Sequence, residues 1–391
     1  QLTELYLNKN PLQSIDDDFL RIPSLMALAM DFCGLKTLPK GLFAKQQSLK
    51  LLFLEGNKLT DLDPDLFAPL VELEELDLSA NLLYNISNAL ANLTSLKLLD
   101  LSDNRLRSLQ DNAFANMTTL KKINLKQNKL TEIPRALAKL PNLSTLTLET
   151  NKIKSTVVGE PLANLEDLYM GENEITKLRL NDFPAVEELY VERNQIHSLS
   201  VDTFVGNRKL KTVDLTDNRL TEIEEHFLND TPLLDTFSAE DNFIRNIPVG
   251  LFGKLTNLTT IILSDNQIKE LAPGTFEGLE SVINLHLNRN QLKHINASLL
   301  NLTNLEYLDL SYNFIRELDE TALEGVPNLV TLDLESNRLD RIPSAINKTI
   351  KLDYLGLQRN RISRLESGQF SQLSSLLTLN LDGNKIATME Q

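Results

Sequence analysis

One short pattern, LxxLxLxxNxL, returns along the whole chain and limits the folds that the chain can adopt. LTELYLNKNPL begins at residue 2, LEELDLSANLL at residue 73 and LLTLNLDGNKI at residue 376. A fixed period of this size indicates a solenoid, because no single unit buries its own apolar face and stacked units share one core. We count seventeen copies, mostly 23 or 24 residues apart, with Cys33 once in the asparagine position and otherwise Asn10, Asn57, Asn81, Asn104, Asn128, Asn151, Asn173, Asn194, Asn218, Asn242, Asn266, Asn290, Asn313, Asn337, Asn360 and Asn384.

Each position of the pattern has a physical role in such a stack. Leu76 and Leu78 are expected to point inward and Asp77 outward, because side chains alternate across a strand, and neighbouring units then pair as parallel strands. Asn81 and its equivalents turn the chain inward, and a buried amide is tolerated only when it bonds backbone groups. The sequence therefore predicts an asparagine ladder, in which Cys33 is a structural substitute rather than a reactive thiol.

Phenylalanine recurs between the asparagine of one copy and the first leucine of the next. This spacing predicts an aromatic spine packed in the core on the side opposite the strands. The phenylalanines concerned are Phe19, Phe43, Phe67, Phe114, Phe204, Phe227, Phe252, Phe276 and Phe370.

With LxxLxLxxNxLxxLPxxxFxxLxxL recurring from end to end, the chain resembles the typical class of leucine-rich repeat proteins, whose unit is about 24 residues long. This class includes animal extracellular proteins such as Toll-type receptor ectodomains, chaoptin-like adhesion proteins and insect leucine-rich immune proteins. The resemblance implies an α/β repeat solenoid, a horseshoe with parallel strands on the concave face and mostly irregular or short helical convex segments. Residues 1–391 are expected to form a single domain of about seventeen repeats, cut at both ends and lacking the cysteine-rich caps of many such ectodomains.

Composition and motifs exclude several classes of function. The formal net charge is −15, so nucleic acid and anionic membranes are poor partners, and no apolar run is long enough for direct membrane insertion. The four histidines are scattered over different repeats, and no P-loop, GxGxxG, HExxH or GxSxG is present. We therefore expect neither an enzyme nor a metal or cofactor site.

Nine Asn-x-Ser/Thr sequons favour a secreted or cell-surface protein, and none of them is expected on the strand face. The resemblance and the sequons together predict a non-enzymatic recognition module of a receptor, adhesion or innate-immune protein. The alternative is a structural or scaffolding leucine-rich repeat protein, including an intracellular one. The sequons lie at Asn85, Asn92, Asn116, Asn142, Asn229, Asn257, Asn296, Asn301 and Asn347.

Partner-binding residues are sought among the outward positions of the strands, because function resides in sites carried by the fold. Tyr169 and Tyr190 occupy successive positions of this kind, and the two shortest steps of the repeat fall here, between Asn151 and Asn194. Acidic residues surround the pair, so a protein ligand or co-receptor with a basic surface is expected, or a partner in a homo- or heterodimer. The acidic residues are Glu166, Asp167, Glu187, Glu188 and Glu192.

A second candidate surface is an apolar patch near the N-terminus, formed by Tyr6, Met26, Phe32, Leu51 and Phe53. It predicts either a second partner site or a surface that a preceding repeat or cap covers.

Overall fold

The computed structural model describes residues 2–12, 14–17, 19–86, 89–299 and 301–389. The chain divides into two compact units, Gln1–Tyr190 and Val191–Gln391. The expectation of one uninterrupted domain over residues 1–391 stays a prediction.

The first unit is built on nine short parallel strands, one from each copy of the repeat. Each strand pairs in register with the next along the chain, so that equivalent residues stand side by side. The strands are β1 (Glu4–Tyr6), β2 (Ala27–Ala29), β3 (Leu51–Phe53), β4 (Glu75–Asp77), β5 (Leu98–Asp100), β6 (Lys122–Asn124), β7 (Thr145–Thr147), β8 (Asp167–Tyr169) and β9 (Glu188–Tyr190).

The second unit repeats this arrangement and adds short strand pairs away from the main sheet. Its main parallel strands are β11 (Thr212–Asp214), β13 (Thr236–Ser238), β14 (Thr260–Ile262), β15 (Asn284–His286), β17 (Tyr307–Asp309), β19 (Thr331–Asp333), β20 (Tyr354–Gly356) and β22 (Thr378–Asn380). The two-residue strands pair β10 (Ser198–Leu199) with β12 (Glu222–Ile223), β16 (His294–Ile295) with β18 (Glu317–Leu318), and β21 (Arg364–Leu365) with β23 (Thr388–Met389).

Helix is nearly absent from the described residues. Three 3₁₀ segments occur, at Arg135–Lys139, Ala297–Leu299 and Ser344–Lys348. None of the helices in the described ranges is long and apolar enough to cross a bilayer. The predicted fold, a leucine-rich repeat solenoid with parallel strands and mostly irregular connecting segments, is confirmed.

The strands bury one residue in two, as the alternation in the sequence requires. In β4 the middle residue Leu76 is fully buried, whereas Glu75 and Asp77 on either side are partly exposed. Leu78, two residues further, is again fully buried. Most of the main strands repeat this pattern, although all three residues of β2 are buried. The leucines therefore form one core within each unit, and the outward residues form a strand face.

The predicted asparagine ladder is present and lies against the backbone of adjoining turns. Asn128 shows the arrangement: its Nδ2 donates to Leu101 O, Leu125 O and Lys126 O at 2.9, 3.2 and 3.2 Å, and its Oδ1 accepts from Leu106 N at 3.0 Å. Both polar atoms of the amide are satisfied, so its burial carries little penalty.

Cys33 occupies the ladder position of its own turn and is buried, as predicted for a structural residue. Its Sγ donates to Leu7 O at 3.2 Å, but a thiol supplies no second polar atom. The amide of Leu12 bonds the carbonyl of Cys33 instead, at 3.1 Å.

A feature that the pattern did not predict is the left-handed residue directly before each ladder position. In all seventeen turns its φ is positive, from 49° at Asp103 to 67° at Gly383, and only Gly56 and Gly383 are glycines. Non-glycine residues are strained in this region, so the stack must impose the turn in the other fifteen.

The aromatic spine is present with two exceptions. Phe43 and Phe67 lie 5.7 Å apart between ring centroids, and Phe204 and Phe227 are separated by the same distance. The prediction was wrong for Phe19, which is 45% exposed, because it lies in the first turn and packs against a neighbour on one side only. Phe370, in the last described turns, is partly exposed for the same reason.

Candidate functional site

Two tyrosines lie stacked on the strand face of the first unit. Tyr169 ends β8 and Tyr190 ends β9, and the parallel register places them side by side. Their ring centroids are 5.0 Å apart and the ring planes differ by 6°. The third residue of each strand points outward, so the stack presents both rings at the surface and leaves each partly exposed.

Acidic side chains border the stack on the same strands. Glu188 Oε2 accepts from the Tyr190 hydroxyl at 3.4 Å, and Asp167 Oδ2 accepts from Thr145 Oγ1 at 3.0 Å. Glu166 is exposed and Glu187 partly exposed. The structure thus places two of the predicted acids, Asp167 and Glu188, on the strands that carry the tyrosines, and Glu166 and Glu187 directly before those strands.

The surrounding acids affect the pKa of Tyr169. Burial raises the pKa of Tyr169, and the charges of Asp167, Glu188 and Glu149 raise it further. The phenol therefore stays protonated and remains a hydrogen-bond donor next to negative charge. A cationic surface is the complement of this arrangement.

The fifth predicted acid, Glu192, belongs to the second unit. It is partly exposed, and its backbone carbonyl accepts from Asn194 Nδ2 at 3.2 Å. Its role beside the tyrosines stays a prediction.

The shortened turns next to the tyrosine stack close without a helix. Asp182 Oδ2 accepts the backbone amides of Val158 and Gly159 at 2.8 and 2.9 Å, and Thr156 Oγ1 donates to Arg179 O at 2.6 Å. Side-chain hydrogen bonds to the backbone thus hold these two turns together.

The predicted apolar patch is present in the first unit. Tyr6 is 61% exposed, and Met26 and Phe32 are also exposed, while Leu51 and Phe53 are partly exposed. The register sets Ala29 between Tyr6 and Phe53, so a small side chain separates the two aromatic ones on the strand face. Its role in binding stays a prediction.

Further acids lie on the strand side of both units, away from the tyrosine stack. In the first unit burial raises the pKa values of Asp31, Glu55 and Asp77. The charge of Asp77 raises the pKa values of Asp31 and Glu55 further, and the charge of Asp100 raises that of Asp77. In the second unit burial raises the pKa of Asp333 to about 6. Acids in successive turns of the repeat are the sequence signal that could have revealed this surface.

All nine sequon asparagines lie outside the strands, as predicted. Asn85 and Asn296 are partly buried, and the other seven are exposed. Ser87, the third residue of the sequon at Asn85, lies outside the described residues.

Two sequons also belong to a second polar ladder, which the pattern did not reveal. Asn142 Nδ2 donates to Thr118 O at 2.7 Å and Asn257 Nδ2 to Pro232 O at 3.0 Å, each a carbonyl of the preceding turn. Ser95 and Asn328 make the equivalent bonds in turns without a sequon at that position. These asparagines therefore have a structural use, whether or not they carry glycan.

No group of three or more histidine, cysteine, aspartate or glutamate side chains suited to a metal ion is found in the part of the chain that the structure describes.

The leucine rich repeat family matches most of the chain, at residues 23–83, 94–153, 184–242, 233–292, 281–339 and 343–391. The chain is a leucine-rich repeat protein. Several similar solved structures cover nearly all of it. A Leptospira interrogans leucine-rich repeat protein is 26% identical over 98% of this chain and 90% of its own, with a TM-score of 0.76.

Two receptor structures share the fold at lower identity. The Toll chain of a Drosophila Toll–Spatzle complex is 22% identical over 98% of this chain and 51% of its own, with a TM-score of 0.81. The plant peptide hormone receptor RGFR1, solved in complex with RGF2, is 20% identical over 99% of this chain and 74% of its own, with a TM-score of 0.64.

A curated relative, a probable serine/threonine-protein kinase from Dictyostelium discoideum, is 33% identical over 86 residues. The match spans 22% of this leucine-rich repeat chain and 2% of the kinase. The chain thus corresponds to a small part of that relative and to about half of the Toll chain.

Proposed function

We propose that this leucine-rich repeat chain is the non-enzymatic recognition module of a secreted or cell-surface protein with a receptor, adhesion or innate-immune role. It binds a protein partner through its strand face. The observation that carries the proposal is the stack of Tyr169 on Tyr190 with Glu188 and Asp167 beside it. Two receptor chains of the same fold were solved with ligands, which supports a binding role.

The chemistry of the stack favours a protein with a basic surface. Two partly exposed rings offer rigid apolar area at little cost in conformational entropy, and truncation of such anchors commonly costs about 2 kcal/mol or more. The acids Glu166, Asp167, Glu187, Glu188 and Glu192 attract an approaching cationic surface. Arginine and lysine side chains can also lie over the ring faces.

Localisation outside the cell is supported by the sequons, seven of which are exposed and none of which lies on a strand. Glycan at these positions would leave the strand face open. A structural or scaffolding role is the alternative function, and it requires no partner at the tyrosines.

The experiment is a pairwise screen of the chain against purified extracellular proteins of its source organism, followed by affinity measurement for each binder. The variant Tyr169→Ala plus Tyr190→Ala should bind at least about thirtyfold more weakly, as loss of about 2 kcal/mol implies. The control is Tyr84→Ala, which removes an exposed tyrosine of the first unit that lies outside every strand.

Substitution of the acids should change the association rate and its dependence on salt. Glu166→Gln combined with Glu187→Gln should slow association at low salt and have little effect at high salt, because screening shortens the reach of exposed charges. Normal binding by the double tyrosine variant would place the partner elsewhere, with the apolar patch around Phe53 as the next surface to test. Binding of no extracellular protein would favour the scaffolding function.

A further inference from the structure

The strand face of the second unit contains a place where a side chain is missing between polar groups. Strands β17, β19 and β20 set Asp309, Asp333 and Gly356 side by side in register. A Cβ on Gly356 would lie 2.6 Å from Asp333 Oδ1 and 3.2 Å from Gln358 Oε1. A carboxylate and an amide oxygen therefore meet over the bare backbone of the glycine.

The amide oxygen of Gln358 is buried without a donor. The residue is 9% exposed, and its Oε1 has no hydrogen-bond partner among the described residues. Its Nε2 donates to Glu335 Oε2 at 2.6 Å, so turning the amide round would set two oxygens against each other. Leaving such an acceptor unpaired costs roughly 1–3 kcal/mol. A donor from outside the chain would remove that cost.

The two aspartates supply further acceptors on the next two strands. Asp309 Oδ1 accepts from Ser311 N at 2.9 Å and Asp333 Oδ1 from Glu335 N at 2.8 Å. Their Oδ2 atoms accept no hydrogen bond within the described ranges. Three oxygens, one from each of three neighbouring turns, thus remain open to a donor.

The charged groups around these oxygens are mostly negative. Glu335 is the nearest further acid, and it is held by the Tyr312 hydroxyl at 3.0 Å and by Arg359 Nη1 at 3.6 Å. Burial raises the pKa of Asp333 to about 6, the backbone amide of Glu335 lowers it, and the charges of Asp309 and Glu335 raise it. On the neighbouring strand β15, burial lowers the pKa of His286, so this imidazole is neutral near pH 7.

Aromatic side chains border the site on both sides. The register places Thr331 between Tyr307 and Tyr354, and Tyr307 lies against His286 with ring centroids 4.9 Å apart. Tyr307 and Tyr354 stand two strand spacings apart, about 9.6 Å. The small threonine between them leaves a slot that an alkyl chain can fill.

We propose that this slot, lined by Tyr307, Tyr354, Asp309, Asp333 and Gln358, binds the ammonium group of a lysine side chain from a protein partner. An ammonium group has three donors in a compact arrangement, which suits the oxygens of Asp333 and Gln358 beside Gly356, with the charge of Asp309 one strand further. The alkyl stem lies over Thr331 between the tyrosine rings. A guanidinium fits less well, because its planar fork suits two oxygens of one carboxylate.

The inference rests on the proposed protein-binding function but concerns the second unit, whereas Tyr169 and Tyr190 lie in the first. It is tested with a small probe instead of the partner, so either proposal can fail without the other.

The experiment follows tyrosine ring signals by NMR during titration with N-acetyl-lysine N-methylamide at pH 7.5 and low salt. The chain has seven tyrosines, so ¹³C-labelled tyrosine gives few signals, and Tyr307→Phe and Tyr354→Phe assign the two that matter. These two signals should shift saturably, while that of Tyr84 stays in place. The norleucine analogue, which lacks the ammonium group, should cause no shift.

Matched variants test the oxygens. Asp333→Asn removes the charge and Gln358→Met removes the unpaired oxygen, and each should weaken binding at least fivefold. Gly356→Ala fills the space over the glycine and should abolish binding, with thermal unfolding as the check on its fold. Asp214→Asn, at the equivalent outward position of β11, should bind as the unchanged chain does.

A pH series adds a second readout. Affinity should fall between pH 7.5 and pH 5 in the unchanged chain and much less in Asp333→Asn, because protonation removes a charge that the variant already lacks. Three results would overturn the proposal. The norleucine analogue could cause equal shifts, N-acetyl-arginine N-methylamide could bind more tightly than the lysine probe, or both Asp333→Asn and Gln358→Met could keep full affinity.

Discussion

The ring of Phe32 lies directly over the α carbon of Gly56, so closely that a Cβ on the glycine would overlap the ring. The two residues hold the same position in successive turns, one before the ladder position, and both have positive φ. Phe32 thus covers the backbone of the next turn, which fixes this part of the apolar patch. The contact explains why glycine is required at residue 56, although fifteen of the other sixteen turns carry residues other than glycine at this position.

Gly56→Ala should lower the free energy of unfolding by about 2 kcal/mol or more. Left-handed backbone costs a residue with a Cβ roughly 1–2 kcal/mol, and the Phe32 ring must also move. Urea unfolding of the purified chain measures the loss.

Gly34→Ala is the control, since Gly34 also has positive φ but no atom lies within 4 Å of its added Cβ. It should cost less than Gly56→Ala. In a Phe32→Ala background the cost of Gly56→Ala should fall to that of the control. Equal losses for Gly34→Ala and Gly56→Ala in the unchanged background would show that the ring moves aside freely.

Asn128→Ala should destabilise the first unit by roughly 3 kcal/mol. It removes three donated bonds and leaves the amide of Leu106 without its acceptor. Asn128→Cys should lose less, because Cys33 shows that a thiol at this position can donate to the preceding turn. Asn112→Ala, which changes an exposed asparagine outside the ladder, should alter the unfolding midpoint little. A ladder variant as stable as this control would mean that backbone pairing alone closes the turn.

The sequence predicted the fold because the core and the ladder depend on residue type at a fixed period. Leu76 and Asn81 can be placed by counting, since a buried leucine and a turning asparagine are needed in every unit. The left-handed residue before the ladder has no such signal, because the position is filled by Asp103, Thr150, Phe32 and others.

The candidate sites were predictable only in part. Tyr169 and Tyr190 stand out as aromatic residues in outward slots, and the register does bring their rings together. The slot at Gly356 depends instead on a missing side chain and on the orientation of the Gln358 amide. Neither property follows from residue type or from spacing, since both arise from contacts between turns.

Glycan occupancy should follow the exposure of the sequon asparagines. Asn92, Asn229, Asn301 and Asn347 are exposed, and we expect high occupancy there. Asn85 and Asn296 are partly buried, and Asn296 Nδ2 also donates to Leu271 O at 3.2 Å, so occupancy should be lower. Peptide mapping by mass spectrometry of protein from its native source, before and after N-glycan removal, measures both groups. Bare asparagine at every exposed sequon would favour the intracellular scaffold.

Asp333→Asn should stabilise the second unit at neutral pH and have little effect in acid. The folded pKa of Asp333, about 6, is raised above its ordinary value of 3.8, so the folded state binds this proton more tightly than the unfolded chain does. The corresponding stability is fully present below pH 3.8 and is lost as the pH rises through 6. A shift of this size corresponds to at most about 3 kcal/mol, and the partial exposure of the carboxylate reduces our expectation to about 1 kcal/mol. Urea unfolding from pH 4 to pH 7.5 should therefore show the variant and the unchanged chain converging at low pH and separating above about pH 5.

Because other carboxylates, Glu240 and Asp265 among them, also have raised pKa values, only the difference between the two proteins isolates Asp333. A difference that stays constant over this range would show that the charge of Asp333 is not the cause.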